Sequence, residues 1–123
     1  MVGAGVRMGG TQSQNFYFSI AHFPGIWVVA PSNPADAKGL MTAAIRDQEP
    51  VFFIRYKGLD ETTGEVPKGE YVVPIGTAVV REGADVTVVA IARMVDPAEQ
   101  VAGCTGRGGR GCRGTGAPDD RPP

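Results

Sequence analysis

The sequence is poor in the side chains that usually build metal centres and disulfides. Its 123 residues include one histidine, His22, and two cysteines, Cys104 and Cys112, both in a glycine-rich tail. A structural zinc ion needs about four ligands, and His22 is far from the cysteines in sequence. A structural disulfide needs an oxidising compartment, which nothing in the sequence indicates. We therefore expect neither a structural metal nor a disulfide.

The sequence also lacks net charge and long apolar segments. Its formal net charge is −1, which gives no reason to expect DNA or an anionic membrane as a partner. No apolar run approaches the roughly 20 residues of a membrane-spanning helix. The N-terminal stretch has no continuous apolar core of the kind found in secretory signals. These absences predict a soluble cytoplasmic protein.

Glycine, by contrast, is abundant and unevenly distributed. The 18 glycines concentrate at the two ends, whereas the stretch 16–94 has an ordinary globular composition. Only about eighty residues can therefore bury a core, and domains of that size bury a smaller fraction of their surface than larger ones do. The composition indicates a fragment, or a piece that depends on a partner.

The centre of the chain has the pattern of a strand–helix–strand unit. Residues 26–30 and 51–54 are short apolar runs rich in β-branched side chains, which is typical of strands buried on both faces of a parallel sheet. Short connections to a helix between them predict a right-handed βαβ unit with parallel strands.

The helix of this unit has clear boundaries. Asn33 (or Ser32) can cap it, and Pro34 suits its first turn. We expect Gly39, inside the helix, to allow a close approach to the sheet, because glycine carries no Cβ. The apolar stripe consists of Ala37, Leu40, Met41, Ala44 and Ile45.

Weaker patterns lie on either side of the unit. Residues 13–21 predict a short helix with Ser13 as its cap. Residues 57–69 are polar and contain glycine and proline, which is typical of a linker. Residues 77–81 are expected to pair with the apolar run 86–92, which we interpret as the first core strand of a second α/β domain.

Two stretches resemble a known family. Residues 22–53 read HFPGIWVVAPSNPADAKGLMTAAIRDQEPVFF, and residues 64–95 read GEVPKGEYVVPIGTAVVREGADVTVVAIARMV. They resemble the beta subunit of the thiamine-diphosphate-dependent component of 2-oxo acid dehydrogenase complexes, a group that covers pyruvate, branched-chain 2-oxo acid and acetoin dehydrogenases. The resemblance extends over about residues 3–96.

This resemblance implies a transketolase-like α/β fold. Residues 1–56 are then the C-terminal part of a pyrimidine-binding domain, with a parallel sheet and the βαβ unit. Residues 57–76 are a linker, and residues 77–100 begin the transketolase C-terminal-like domain. Residues 101–123 have no family counterpart and are expected to form a disordered Gly/Arg-rich tail, since they bury too little apolar surface to offset ordering.

The resemblance also implies cofactors and partners. Thiamine diphosphate lies between subunits, with magnesium held through the alpha subunit. The partners are the alpha subunit and a second beta subunit in a heterotetramer, together with the lipoyl acyltransferase component. The family reaction is the oxidative decarboxylation of a 2-oxo acid with acyl transfer to lipoamide.

The active-site positions of the family are altered. Gln12 stands where the family has a histidine that faces the active centre, and an amide cannot titrate near neutral pH as imidazole does. His22 matches a turn histidine, for which we expect a structural role. The glutamate that activates the aminopyrimidine has no match in residues 1–21. We therefore expect the chain to be inactive alone, and whether it is an enzyme stays open.

One family site can be transferred residue by residue. The turn after the central helix resembles a potassium-binding loop of some members, and the matching positions are Ala44, Ile45, Asp47 and Glu49. Carbonyl and carboxylate oxygens at a helix C-terminus suit a hard cation. The alternative is an ordinary helix end and turn.

The tail has two further interpretations. Arg107, Arg110 and Arg113 suggest nucleic-acid binding, but no aromatic side chains for base stacking accompany them. We prefer a reading-frame shift, because the codons of Gly-Arg-Gly-Cys-Arg-Gly can encode a family-like strand one base later. Three hypotheses for function result: a fragment of the dehydrogenase beta subunit, a non-catalytic subunit-interaction module, and a nucleic-acid binder acting through the tail.

Overall fold

The structure is a computed structural model, and it describes residues 3, 9–11, 13–83, 86–105 and 112–115. The chain divides into two compact units, Met1–Ile75 and Gly76–Pro123. The division falls at the end of the predicted linker. Gln12, Arg107 and Arg110 lie outside the described residues.

The first unit contains the predicted βαβ unit. Strand β1 (Trp27–Val29) and strand β2 (Val51–Phe53) pair in parallel, with Trp27 opposite Val51. Helix α2 (Pro34–Arg46) connects them. The Ile54 amide extends the pairing by donating to the Val29 carbonyl at 2.8 Å. The prediction of two parallel strands joined by a helix is therefore confirmed.

Helix α2 begins where the sequence predicts. The Asn33 side chain accepts a hydrogen bond from the Asp36 amide at 2.8 Å, and Pro34 is the first helical residue. The Asn33 amide group also donates to the Asp36 carboxylate at 2.6 Å. The cap thus satisfies one of the free amides of the first turn and places a negative charge at the positive end of the helix.

Helix α1 (Tyr17–Ala21) is shorter than predicted. It begins four residues after Ser13, which does not cap it. The side chain of Asn15 instead accepts from the Tyr17 amide at 3.3 Å, and this local bond holds the chain in a turn before the helix starts.

The strands of the first unit are less buried than predicted. Val29 and Ile54 are its buried apolar residues among those described, with 6% and 2% of their surface exposed. Phe52 is exposed, and Trp27 and Val28 are half-buried. In the described residues this sheet has two strands, β1 and β2.

Residues of the predicted linker pack against α2. The Val73 amide donates to the Gly39 carbonyl at 3.2 Å. A Cβ atom on Gly39 would lie 2.8 Å from Cε2 of Tyr71 and closer still to Val73. Gly39 therefore does permit a close approach, but of the segment around Tyr71 and Val73. The expectation that Gly39 allows an approach to the sheet is therefore wrong, because the segment that approaches it is the one around Tyr71 and Val73.

The second unit has the same order of elements. Strand β3 (Val86–Val89) is followed by helix α3 (Val95–Thr105) and strand β4 (Cys112–Thr115), and the two strands pair in parallel. The predicted pairing of β3 with residues 77–81 is not observed: in the described residues, the sheet of β3 contains β3 and β4. Helix α3 and β4 also extend into the range 101–123, which was predicted to be a disordered tail. Ala92, between β3 and α3, is 2% exposed and has φ +50°.

Candidate functional site

Two tyrosines bring distant parts of the first unit together. The rings of Tyr17, in α1, and Tyr56, after β2, lie 5.8 Å apart between centroids at an angle of 43°. The Asn15 side chain donates to the Tyr56 hydroxyl at 3.3 Å. Gly3 lies against the Tyr56 ring, where a Cβ atom would come within 2.6 Å of Cδ1. We call Gly3, Asn15, Tyr17 and Tyr56 the tyrosine cluster.

The Tyr17 hydroxyl is the unusual atom of the tyrosine cluster. It is buried, and no hydrogen-bond partner for it lies among the described residues. Burial raises the pKa of this phenol far above its usual range, because the ionised form loses its hydration. Tyr17 is therefore a neutral group at physiological pH and can donate or accept one hydrogen bond.

The tyrosine cluster lies close in sequence to Gln12, which is outside the described residues. It contains no carboxylate, so it does not supply the acid that the resemblance assigns to the aminopyrimidine. In addition, the described part of the chain contains no group of three or more His, Cys, Asp or Glu side chains that could hold a metal ion.

The predicted potassium positions form the end of α2. Ala44 and Ile45 lie in its last turn, and Asp47 is the residue at its C-terminal boundary. The Asp47 carboxylate accepts from the Glu49 amide at 2.9 Å, and this bond closes the turn. The four positions thus lie within six residues of one another in sequence, and one carboxylate oxygen of Asp47 accepts from the backbone. Potassium binding here stays a prediction.

His22 ends helix α1. Its amide donates to the Phe18 carbonyl at 3.1 Å, and its ring meets the Phe23 ring edge-on at 6.2 Å between centroids. The side chain is exposed. This position agrees with a histidine that helps to end a helix and begin a turn.

Comparison with known proteins identifies the first unit. Residues 1–60 match the family described as transketolase, pyrimidine binding domain. Residues 1–60 belong to this family. The pyrimidine-binding segment includes the tyrosine cluster, the βαβ unit and the turn after α2. The described helices and parallel strands agree with the α/β fold of the family.

The relatives of the chain are beta subunits. It is 47% identical over 103 residues to acetoin:2,6-dichlorophenolindophenol oxidoreductase subunit beta of Cupriavidus necator, covering 83% of this chain and 30% of the relative. It is 45% identical over 102 residues to 2-oxoisovalerate dehydrogenase subunit beta of Bacillus subtilis, covering 81% of this chain and 31% of the relative. It is 39% identical over 93 residues to pyruvate dehydrogenase E1 component subunit beta of Mesostigma viride, covering 75% of this chain and 28% of the relative.

These matches confirm the resemblance to beta subunits of 2-oxo acid dehydrogenases. The chain spans about 30% of the length of the curated relatives it matches. In the described residues, no helix has both the length and the hydropathy needed to cross a membrane.

The sequence did not predict the tyrosine cluster of the pyrimidine-binding segment. Tyr17 lies within the predicted helix 13–21, and Tyr56 follows the predicted strand 51–54. If the strand pattern continued past Ile54, its period of two would place Tyr56 on the face of Phe52 and Ile54, and this pattern carries no signal for a contact with Tyr17.

Proposed function

We propose that this chain provides part of the pyrimidine-binding domain of a thiamine-diphosphate-dependent 2-oxo acid dehydrogenase beta subunit. The observation that carries the proposal is the family match of residues 1–60 together with 45–47% identity to the acetoin and 2-oxoisovalerate enzymes. The proposed reaction is oxidative decarboxylation of a 2-oxo acid with acyl transfer to lipoamide, in the cytoplasm.

The chain acts only within an assembly in this proposal. The relatives are named as beta subunits, which supports an alpha subunit as partner. The alpha subunit holds the magnesium ion and the diphosphate, and a second beta subunit and a lipoyl acyltransferase complete the complex. Gln12 replaces the family histidine, and the tyrosine cluster offers no acid. We therefore propose that the chain alone is inactive.

Dye reduction tests this proposal. The purified chain is mixed with thiamine diphosphate, Mg²⁺ and 2,6-dichlorophenolindophenol, and acetoin, pyruvate or 2-oxoisovalerate is added. We expect no bleaching of the dye by the chain alone, while the full beta subunit from Cupriavidus necator with its alpha subunit serves as positive control. Turnover by the isolated chain would overturn the claim of inactivity.

Binding to the alpha subunit tests the partner. We expect the chain to co-elute with the Cupriavidus necator alpha subunit in size-exclusion chromatography and to compete with the full beta subunit. Failure of both at micromolar concentrations would contradict the proposed assembly, whatever the dye assay shows.

A non-catalytic interaction module is the second candidate. Helix α1 and the residues that flank it carry four large exposed apolar side chains, of which Phe18 is 79% exposed: Phe16, Phe18, Phe23 and Ile26. Exposed apolar groups of this kind favour a protein contact. Under this alternative, Phe18→Ser weakens alpha-subunit binding by about ten-fold or more, while replacement of Gln12 by histidine restores no activity in the assembled complex.

A further inference from the structure

Residues 67–73 lie along helix α2, and we call this segment the strap. Its first contact is with one lysine of the helix. The Lys38 ammonium donates to the carbonyl oxygens of Pro67 at 2.9 Å and of Gly69 at 2.6 Å. Hydrogen bonds from a charged donor are stronger than neutral ones, so Lys38 concentrates two of the stronger contacts on one side chain.

The second half of the strap is held by Tyr71 and Val73. The Tyr71 hydroxyl donates to the Ala35 carbonyl at 2.6 Å, and the Tyr71 ring lies 5.0 Å from the Lys38 nitrogen. The Val73 amide donates to the Gly39 carbonyl at 3.2 Å. Lys38 thus contacts both halves of the strap, through two carbonyls and through the face of an aromatic ring.

Packing of the strap depends on the absence of a side chain at Gly39. This glycine is buried, and Tyr71 and Val73 approach its Cα. Tyr71 and Val73 are half-buried, whereas Val72 between them is exposed. This alternation is that of an extended segment with one face against the helix. At its middle, Glu70 forms an ion pair with Arg46 near the end of α2.

The strap is attached mainly by polar contacts. The apolar core of the first unit is formed by Val29 and Ile54, and none of the strap residues is fully buried. A segment with few buried apolar contacts opens at a lower free energy than the core around it. The strap can therefore leave α2 while β1, α2 and β2 stay folded.

We propose that the strap is a releasable element that opens as a unit and that the Lys38 ammonium is its principal attachment. When the strap is closed, the first unit extends to Ile75. When it is open, residues 67–75 become part of the free connection to the second unit. Any change that neutralises Lys38 shifts the equilibrium towards the open state.

Two backbone amides of the full chain separate strap opening from unfolding. The Val73 amide is bonded across the strap, and the Ile54 amide is bonded within the core. In Lys38→Met, we expect hydrogen exchange at Val73 to accelerate about ten-fold or more, with exchange at Ile54 unchanged. Lys38→Arg keeps the positive charge and still donates hydrogen bonds, although from a planar guanidinium, so exchange at Val73 should accelerate by no more than about three-fold.

Trypsin gives a second measurement. Lys68 lies inside the strap, and Arg55 and Lys57 lie outside it. Cleavage after Lys68 should accelerate in Lys38→Met relative to cleavage at the other two sites, and should not do so in Lys38→Arg. The proposal is overturned if Val73 and Ile54 accelerate equally, because the change is then global unfolding. It is also overturned if neither Val73 exchange nor cleavage after Lys68 changes.

Discussion

Replacing Gly39 by alanine tests whether the strap packs on α2. The change has two opposing effects on the free energy of unfolding, a gain in helix propensity and a steric clash with the strap. Alanine is better than glycine in a helix interior by about 1 kcal/mol, so helix propensity alone predicts a more stable protein. The new Cβ, however, would lie 2.8 Å from Cε2 of Tyr71 and closer still to Val73. At such distances the neighbouring atoms must move.

The expected change in the free energy of unfolding follows from three contributions: the clash, the lost hydrogen bond and the gain in helix propensity. Forcing an extra carbon into a packed site costs about 1–3 kcal/mol, and displacing the strap also loses the Val73–Gly39 hydrogen bond, worth about 1 kcal/mol. After the propensity gain, we expect Gly39→Ala to lower the free energy of unfolding of the first unit by about 1–3 kcal/mol. Urea unfolding followed by the fluorescence of Trp27, the single tryptophan, measures it.

Gly103 provides the matched control. It also lies inside a helix, α3, but a Cβ there would meet nothing within 4 Å. Gly103→Ala should therefore increase the stability of α3 by up to about 1 kcal/mol, measured by far-ultraviolet circular dichroism. In a Val73→Ala background, the cost of Gly39→Ala should fall. If Gly39→Ala stabilises the first unit as Gly103→Ala stabilises α3, the strap does not pack on Gly39.

Four further predictions concern single side chains. Asn33→Ala removes the N-cap of α2 and should cost about 1 kcal/mol in urea unfolding, whereas Asn33→Asp should cost far less. Hydrogen bonds from Arg55 lower the pKa of Asp60 in the folded state. Ionised Asp60 therefore contributes stability above its unfolded pKa, and this contribution disappears as the pH falls. On acidification the wild type should lose more stability than Asp60→Asn, and parallel pH profiles of the two proteins would contradict this. Tyr17→Phe removes a buried hydroxyl that has no partner among the described residues and should leave the melting temperature unchanged or raise it, while a lower value would reveal a partner. Ala92→Gly relieves a positive φ and should stabilise the second unit by about 0.5–1 kcal/mol in circular-dichroism melts, and a lower melting temperature would contradict this.

Local patterns predicted the features that depend on neighbouring residues. The cap at Asn33, Pro34 at the first helical position and the two apolar runs are all short-range signals, and α2, β1 and β2 follow from them. The predicted start of α1 at Ser13 is wrong because the Asn15 side chain accepts from the Tyr17 amide, and this local bond holds the chain in a turn before the helix.

Contacts between distant residues had no such signal. Tyr17 and Tyr56 meet although they are far apart in sequence, and no spacing rule connects them. The sequence predicts a linker where the strap lies, because proline, glycine and charge are typical of linkers. It gives no signal for the contacts of Lys38, because their acceptors are backbone carbonyls, which every residue has. For Gly39 the pattern indicated a close contact, but it carried no information on which segment makes it.

At the potassium positions, too, the local helix end was predictable from the sequence and the individual hydrogen bond was not. Ala44 and Ile45 lie in the last turn of α2, Asp47 is at its C-terminal boundary, and Glu49 follows two residues later. The hydrogen bond between the Asp47 carboxylate and the Glu49 amide was not predictable from spacing alone, because an aspartate at a helix end can equally point to solvent.

The parallel pairing of β1 with β2 sets an order of events in folding. Trp27 and Val51 are partners about two dozen residues apart, so neither strand can find its partner through a tight turn. Closing such a loop is an entropic cost that must be met before the strand contacts form. Helix α2 shortens this loop, because each helical residue advances the chain by only about 1.5 Å. The rate at which the sheet forms should therefore depend on how early α2 is helical, so Asn33 governs folding speed as well as stability.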